Sequence, residues 1–139
     1  MNRIALSLLT LFVPTMKAEP KPKSEPNLNR LILVIAEIEQ GRWGEQGGIC
    51  NMHYQAWTQH SKFSYRLSAS REHALPIYRQ HLETLANQLR LAKRVPSVLA
   101  LVTCWRYGFD GARLRNFTCD EGQRATNLYE DASFDKPIP

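Results

Sequence analysis

Strands, paired cysteines and metal-type histidine spacing are all missing from this 139-residue chain. No stretch alternates apolar and polar residues over a convincing strand length, which points to a mostly α domain. The three cysteines form no CxxC pair, and His53, His60, His73 and His81 show no clustered ligand spacing, so neither metal nor cofactor is expected. Gly47-Gly48 lacks the lysine and the following helix of a phosphate loop. No internal repeat is visible. The apolar run at 4–13 is too short to cross a bilayer, which takes about 20 apolar residues. Strong charge of one sign is missing as well: 18 Lys and Arg against 13 Asp and Glu give only +5. So mild a basic excess argues against a nucleic-acid partner.

What is present divides the chain in three. Residues 1–18 have a cationic start (Asn2-Arg3), an apolar centre and a small residue, Ala18, at the end, the layout of a secretory signal peptide. An exported protein, periplasmic or extracellular, is therefore expected, with no stable membrane insertion once the leader is cut. Residues 19–26, "EPKPKSEP", alternate proline with charge and read as an extended linker. Residues 27–135 remain for one folded domain, expected to be monomeric. In an exported chain, three cysteines leave at least one unpaired. Cys104 lies in a long apolar segment and reads as a buried thiol. Cys50 and Cys119, in polar contexts, are the better disulfide candidates.

Four helices are predicted. Residues 27–40 are rich in apolar side chains and end at Gly41. Residues 43–51 carry Gly44, Gly47 and Gly48 and read as a turn-rich stretch or small irregular hairpin. Residues 70–91 place Leu75, Tyr78, Leu82, Leu85 and Leu89 along one face, with Pro76 either kinking the helix or marking its start. Residues 96–107 begin with proline, precede Gly108 and are apolar nearly all round, as a central buried helix would be. Thr118-Cys119-Asp120-Glu121 has capping-box spacing and opens a fourth helix running to Glu130.

The first of these helices ends in two carboxylates. At 100° per residue, Glu39 lies within about 40° of Leu28, Ile32 and Ile35, whereas Glu37 falls beside Arg30 and Gln40 on the other side. Glu37 reads as an ordinary solvated acid. Glu39 points toward the core at the negative end of the helix dipole, and both desolvation and the dipole would raise its pKa. A general acid working near neutral pH needs that property. The alternative is a glutamate whose stem covers the core while its head reaches water.

Several short motifs, in order, resemble the lysozyme-like superfamily, in particular bacterial lytic transglycosylases. Ile38-Glu39-Gln40-Gly41 stands where that family has a helix ending in a Glu-Ser-Gly motif. Gly48-Ile49-Cys50-Asn51 is similar to its Gly-x-x-Gln motif, with Asn51 for glutamine and His53 as the occupant if the register slips. "LALVTCWRYG" resembles the buried helix ending in aromatic-Asn-x-Gly, keeping Trp105 and Gly108 but with Arg106 for asparagine. "ATNLYED" resembles the Glu-Thr-x-x-Tyr segment, keeping Thr126 and Tyr129. The resemblance spans roughly residues 28–131.

The resemblance implies a lysozyme-like helical domain, with a glycine-rich loop or small irregular hairpin beside the cleft, that acts on the β-1,4 glycan strands of peptidoglycan. Glu39 would protonate the glycosidic oxygen and then serve as the base that draws the sugar's own 6-hydroxyl onto the anomeric carbon, a route needing one carboxylate. A hydrolase would need a second across the bond, for which Glu45 and Asp110 are candidates. Tyr129 would orient Glu39 or stabilise developing charge. Gly48 and Asn51, or His53, would contact the sugar. Trp105 would be core or cleft wall, and Thr126 lies in the last motif. Arg106 would meet a peptide-stem carboxylate or form a surface ion pair. A peptidoglycan-cleaving lytic transglycosylase is one expectation. The alternative is a catalytically inactive lysozyme-like protein that binds cell wall or a protein partner.

Overall fold

The computed structural model describes residues 25–39 and 48–134. Five helices order them: α1 (Leu28–Glu39), α2 (Tyr54–His60), α3 (Arg71–Leu91), α4 (Val98–Leu114) and α5 (Asp120–Glu130), with short 3-10 turns at Gly48–Cys50 and Tyr65–Ala69. No strand occurs among the described residues, as the missing alternation predicts. The expected leader at 1–18 and residues 19–24 of the linker lie outside the described residues, as do 40–47 with Trp43 and Glu45. Of the turn-rich stretch 43–51, the described part is the single 3-10 turn followed by Asn51 in the left-handed region (φ 49°).

The apolar periodicity accounts for the packing. α1 buries Leu31, Val34 and Ile35, α3 buries Tyr78, Leu82, Leu85 and Leu89, and α4 contributes Leu101 and Val102 between them. α4 packs on α3 and α5, while α1 packs on α3 and α5. Burying one such leucine stabilises the fold by about 1.5–3 kcal/mol. An exposed pair such as Arg79–Glu83, at 3.5 Å, contributes at most about 1 kcal/mol. Burial decides this fold.

Helix ends follow side-chain chemistry. Asn27 Oδ1 accepts the N–H of Arg30 at 3.0 Å and starts α1. α3 is one helix of 21 residues that runs through the exposed Pro76, which neither starts nor splits it. Ser97 Oγ caps α4 by accepting from the N–H of Ala100. The predicted stop at Gly108 is half realised. Gly108 adopts φ 75° and ψ 167°, breaking the helix, and a second helical stretch then continues to Leu114. That backbone region is open essentially to glycine alone. The fourth predicted helix is α5, but its cap sits one residue later than the capping box places it. Cys119 Sγ accepts the N–H of Gly122 at 3.2 Å, while Thr118 Oγ1 turns back to the carbonyl of Arg115. Gly122 lets α5 approach α4 closely, since a Cβ there would stand 2.8 Å from Leu99 Cδ1.

Cys50, Cys104 and Cys119 are all free thiols, so no disulfide joins the two candidates, Cys50 and Cys119. Cys50 is buried and directs its Sγ to the carbonyl of Ile32, while Cys119 caps α5. Cys104 is buried in α4, as its apolar surroundings predict. The helix α2 is absent from the sequence prediction. Only Trp57 is buried on its seven residues, which leaves too little apolar period to read.

Candidate functional site

Glu39, the residue singled out by helix geometry, is buried to 1% exposure at the last turn of α1. Its partner comes from α4: Arg106 Nη1 lies 2.7 Å from Glu39 Oε2, and the arginine side chain is itself only 8% exposed. Arg106 Nε lies 3.4 Å from Glu121 Oε1 in the first turn of α5 but makes no hydrogen bond there. Three helices therefore meet at one guanidinium. Burial works against its charge, yet the hydrogen bond and charge of Glu39, with Glu121 behind, hold the Arg106 pKa above its ordinary value. The sequence places Arg106 as a stem-carboxylate ligand or a surface ion pair, and the structure puts it in a buried one. Such a pair gives up hydration on both sides, and breaking it leaves an uncompensated buried charge.

Asn51 faces the same carboxylate helix from its backbone side. Its side-chain amide donates to the carbonyl of Glu39, one of the acceptors that a helix end leaves unsatisfied. Asn51 is 3% exposed and its Oδ1 has no hydrogen-bond partner. It ends a helix from inside the protein and does not stand on a sugar-binding rim. Gly48 opens the 3-10 turn that delivers Asn51.

Tyr129 lies elsewhere. Its hydroxyl accepts the N–H of Asn27 at 2.7 Å, at the start of α1. Its carbonyl accepts from Arg30 Nε and Nη2, at 3.0 and 2.8 Å. The twelve residues of α1 separate that end from Glu39 by roughly 18 Å at 1.5 Å per residue. The physical reason is the antiparallel run of α5 against α1, which brings Glu121 to the Glu39 end and carries Tyr129 to the other. Arg106, and not Tyr129, positions Glu39. Thr126 Oγ1 bonds the carbonyl of Gly122 within α5. Thr126 and Tyr129 thus belong to structure away from the carboxylate.

Arg106 is also among the residues that line an open groove of ≈ 610 Å³ between α2, α3 and α4. His53, Gln59, Trp105, Tyr107 and Asp110 are among its lining residues. His53 Nε2 is 3.2 Å from the carbonyl of Arg106, which it meets as a donor in the Nε2–H tautomer. Trp105 is both core and groove floor: Nε1 donates to the carbonyl of Cys50 at 2.9 Å, and the ring meets Tyr78 and His81 edge-on and tilted. His53, Trp105 and Arg106 are the expected ligand-contacting residues that the structure brings together at one opening.

Sequence reasoning missed a histidine pair, one member of which, His81, lines the same groove. His60 Nε2 and His81 Nδ1 lie 3.0 Å apart, so one donates and the other accepts. Burial, followed by the charges His60 and His53 can carry, pushes the His81 pKa down to about 4, and burial lowers that of His60. A separation of 21 residues across two helices leaves no local signal. No group of three metal-type ligands occurs among the described residues.

Comparison with known protein families, with curated proteins and with solved structures finds no match for this chain. Its functional reading rests on the site itself.

Proposed function

We propose that this is a lysozyme-like helical domain that holds the β-1,4 glycan of peptidoglycan without cleaving it. The observation that carries this reading is the buried ion pair: Glu39 is 1% exposed and faces Arg106 at 2.7 Å. A general acid must come within about 2.6–3.2 Å of the oxygen it protonates. Here the Glu39 carboxylate is held by the Arg106 guanidinium and is not among the residues that line the groove. The groove offers what a sugar chain uses, with Tyr107 and the edge of Trp105 as apolar surface and Gln59, His53 and Asp110 as hydrogen-bonding groups. In this reading the chain is exported, loses residues 1–18, works as a monomer in the wall compartment and needs no cofactor.

One observation favours the cleaving reading, in which Glu39 is the acid of a lytic transglycosylase. Arg106 both pairs with Glu39 and lines the groove, so one residue links the carboxylate to the opening. Sedimentation with purified peptidoglycan, followed by mass analysis of the soluble products, separates the two. Protein in the pellet with no released fragments supports binding without cleavage. Anhydro-ended fragments that disappear in Glu39→Gln support the transglycosylase. A chain that neither sediments nor releases fragments has neither function.

A further inference from the structure

The groove between α2, α3 and α4 carries little charge that a ligand could use. Besides His53 and His81, its charged lining residues are Arg106 and Asp110. Arg106 is met by Glu39 of α1 at 2.7 Å and by Glu121 of α5 at 3.4 Å. Asp110 Oδ1 accepts from Arg113 Nη2 at 3.0 Å. Burial keeps His81 uncharged, with a pKa of about 4.

What the lining does offer is neutral. Gln55 and Gln59 stand one turn apart on α2, and Gln88 comes from α3. All three are exposed, and their side-chain amides have no hydrogen-bond partner among the described residues. An amide both donates and accepts, so it suits the hydroxyl and N-acetyl groups of a sugar. Trp105, Tyr107 and Phe109 add aromatic surface. A carboxylate finds no such match. Entering the groove strips its hydration, and the guanidinium it would meet is already held by two carboxylates that repel it. An anionic polymer would need unmatched lysine or arginine, which these lining residues do not supply.

We infer, resting on the glycan-holding reading above, that this groove selects uncharged saccharide and excludes carboxylate-bearing units. The N-acetylated sugars then lie along it, and the acidic peptide stems of the strand lie outside. Calorimetric titration of the full chain at pH 8, where an ordinary histidine is uncharged, tests this. The ligands are an N-acetylglucosamine tetramer and the same tetramer with its 6-hydroxymethyl groups oxidised to carboxylates. The neutral tetramer is expected to bind, with an affinity that holds as salt is raised. The oxidised one should bind more weakly by roughly fivefold or more. Gln59→Lys places an unmatched cation on the groove and should reverse that preference. Gln59 is exposed, and unchanged circular dichroism confirms that the variant folds. Wild type that binds the two tetramers equally, or the oxidised one more tightly, overturns the inference. So does a Gln59→Lys variant that keeps the wild-type preference, since charge would then not be its cause. A chain that sediments with peptidoglycan but binds neither tetramer keeps the glycan-holding reading and loses the charge selectivity. A chain that neither sediments nor binds a tetramer loses both.

Discussion

Replacing Arg106 with methionine isolates the central contact. Methionine keeps most of the apolar stem and removes the charge, leaving Glu39 at 1% exposure without the cation that lies 2.7 Å away. Breaking a buried pair on one side costs about 3–5 kcal/mol, because the remaining charge stays dehydrated. For a domain of about a hundred residues that is a fall in Tm on the order of 15 °C. Removing both charges, in Glu39→Gln/Arg106→Met, should recover most of the loss and leave the double variant within about 2 kcal/mol of wild type. The coupling energy from the four-protein cycle is then about 3 kcal/mol. Urea unfolding followed by far-ultraviolet circular dichroism measures all four. If Arg106→Met costs under about 1 kcal/mol, the pair behaves as a solvated surface bridge, and Glu39 is not held as described. A double variant no more stable than the single one would refute the pairing equally.

Three further outcomes test other parts of the structure. His81 is held neutral, with its pKa lowered from 6.5 to about 4. The unfolded chain takes up that proton first, so His81's contribution is complete above pH 6.5 and is lost as pH falls through about 4. The gap is worth roughly 3 kcal/mol, and His81→Gln should flatten the fall in urea midpoint between neutral and acid pH; equal slopes in the two proteins would contradict this. Gly108 has φ 75° and ψ 167°, and a Cβ added there would meet no atom within 4 Å, so Gly108→Ala tests backbone strain alone and should cost about 1–3 kcal/mol in urea unfolding. Thiol titration should find only Cys119 reactive in the native protein and all three cysteines in denaturant, because Cys50 and Cys104 are buried and burial drives the Cys104 pKa to about 12. A single reactive thiol in denaturant would mean that a disulfide exists after all.

The helical class was legible because it rests on local periodicity. Leu75, Tyr78, Leu82, Leu85 and Leu89 announce α3 by spacing alone, and four of these five are fully buried in it. Glu39 was legible for the same reason: its angle on α1 places it with Leu28, Ile32 and Ile35, and it is buried on that side with Ile32 and Ile35. What periodicity does not carry is which helices meet and in which direction. Tyr129 shares a helix with Glu121, and nothing local says which of its ends lies against Glu39. The cap of α5 shows the same limit on a smaller scale. Thr118 and Cys119 both precede the helix, and the cysteine takes the cap because its sulfur also meets Thr103 Oγ1 on α4 at 3.3 Å.

Two of the positions where the chain departs from the lysozyme-like pattern turn out to be physically linked through Glu39. Arg106 stands where that pattern has asparagine and binds the Glu39 carboxylate. Asn51 stands where it has glutamine and binds the Glu39 backbone carbonyl. Each departure read alone suggests altered sugar contact, but together they form one buried structural unit with Glu121 at its edge. Asparagine in place of Arg106 would therefore break this unit. A shorter neutral amide cannot balance a buried carboxylate, and the cost would appear as lost stability before any gain in chemistry. The coupling runs both ways: with Arg106 buried beside it, removing Glu39 strands the arginine as surely as removing the arginine strands the acid.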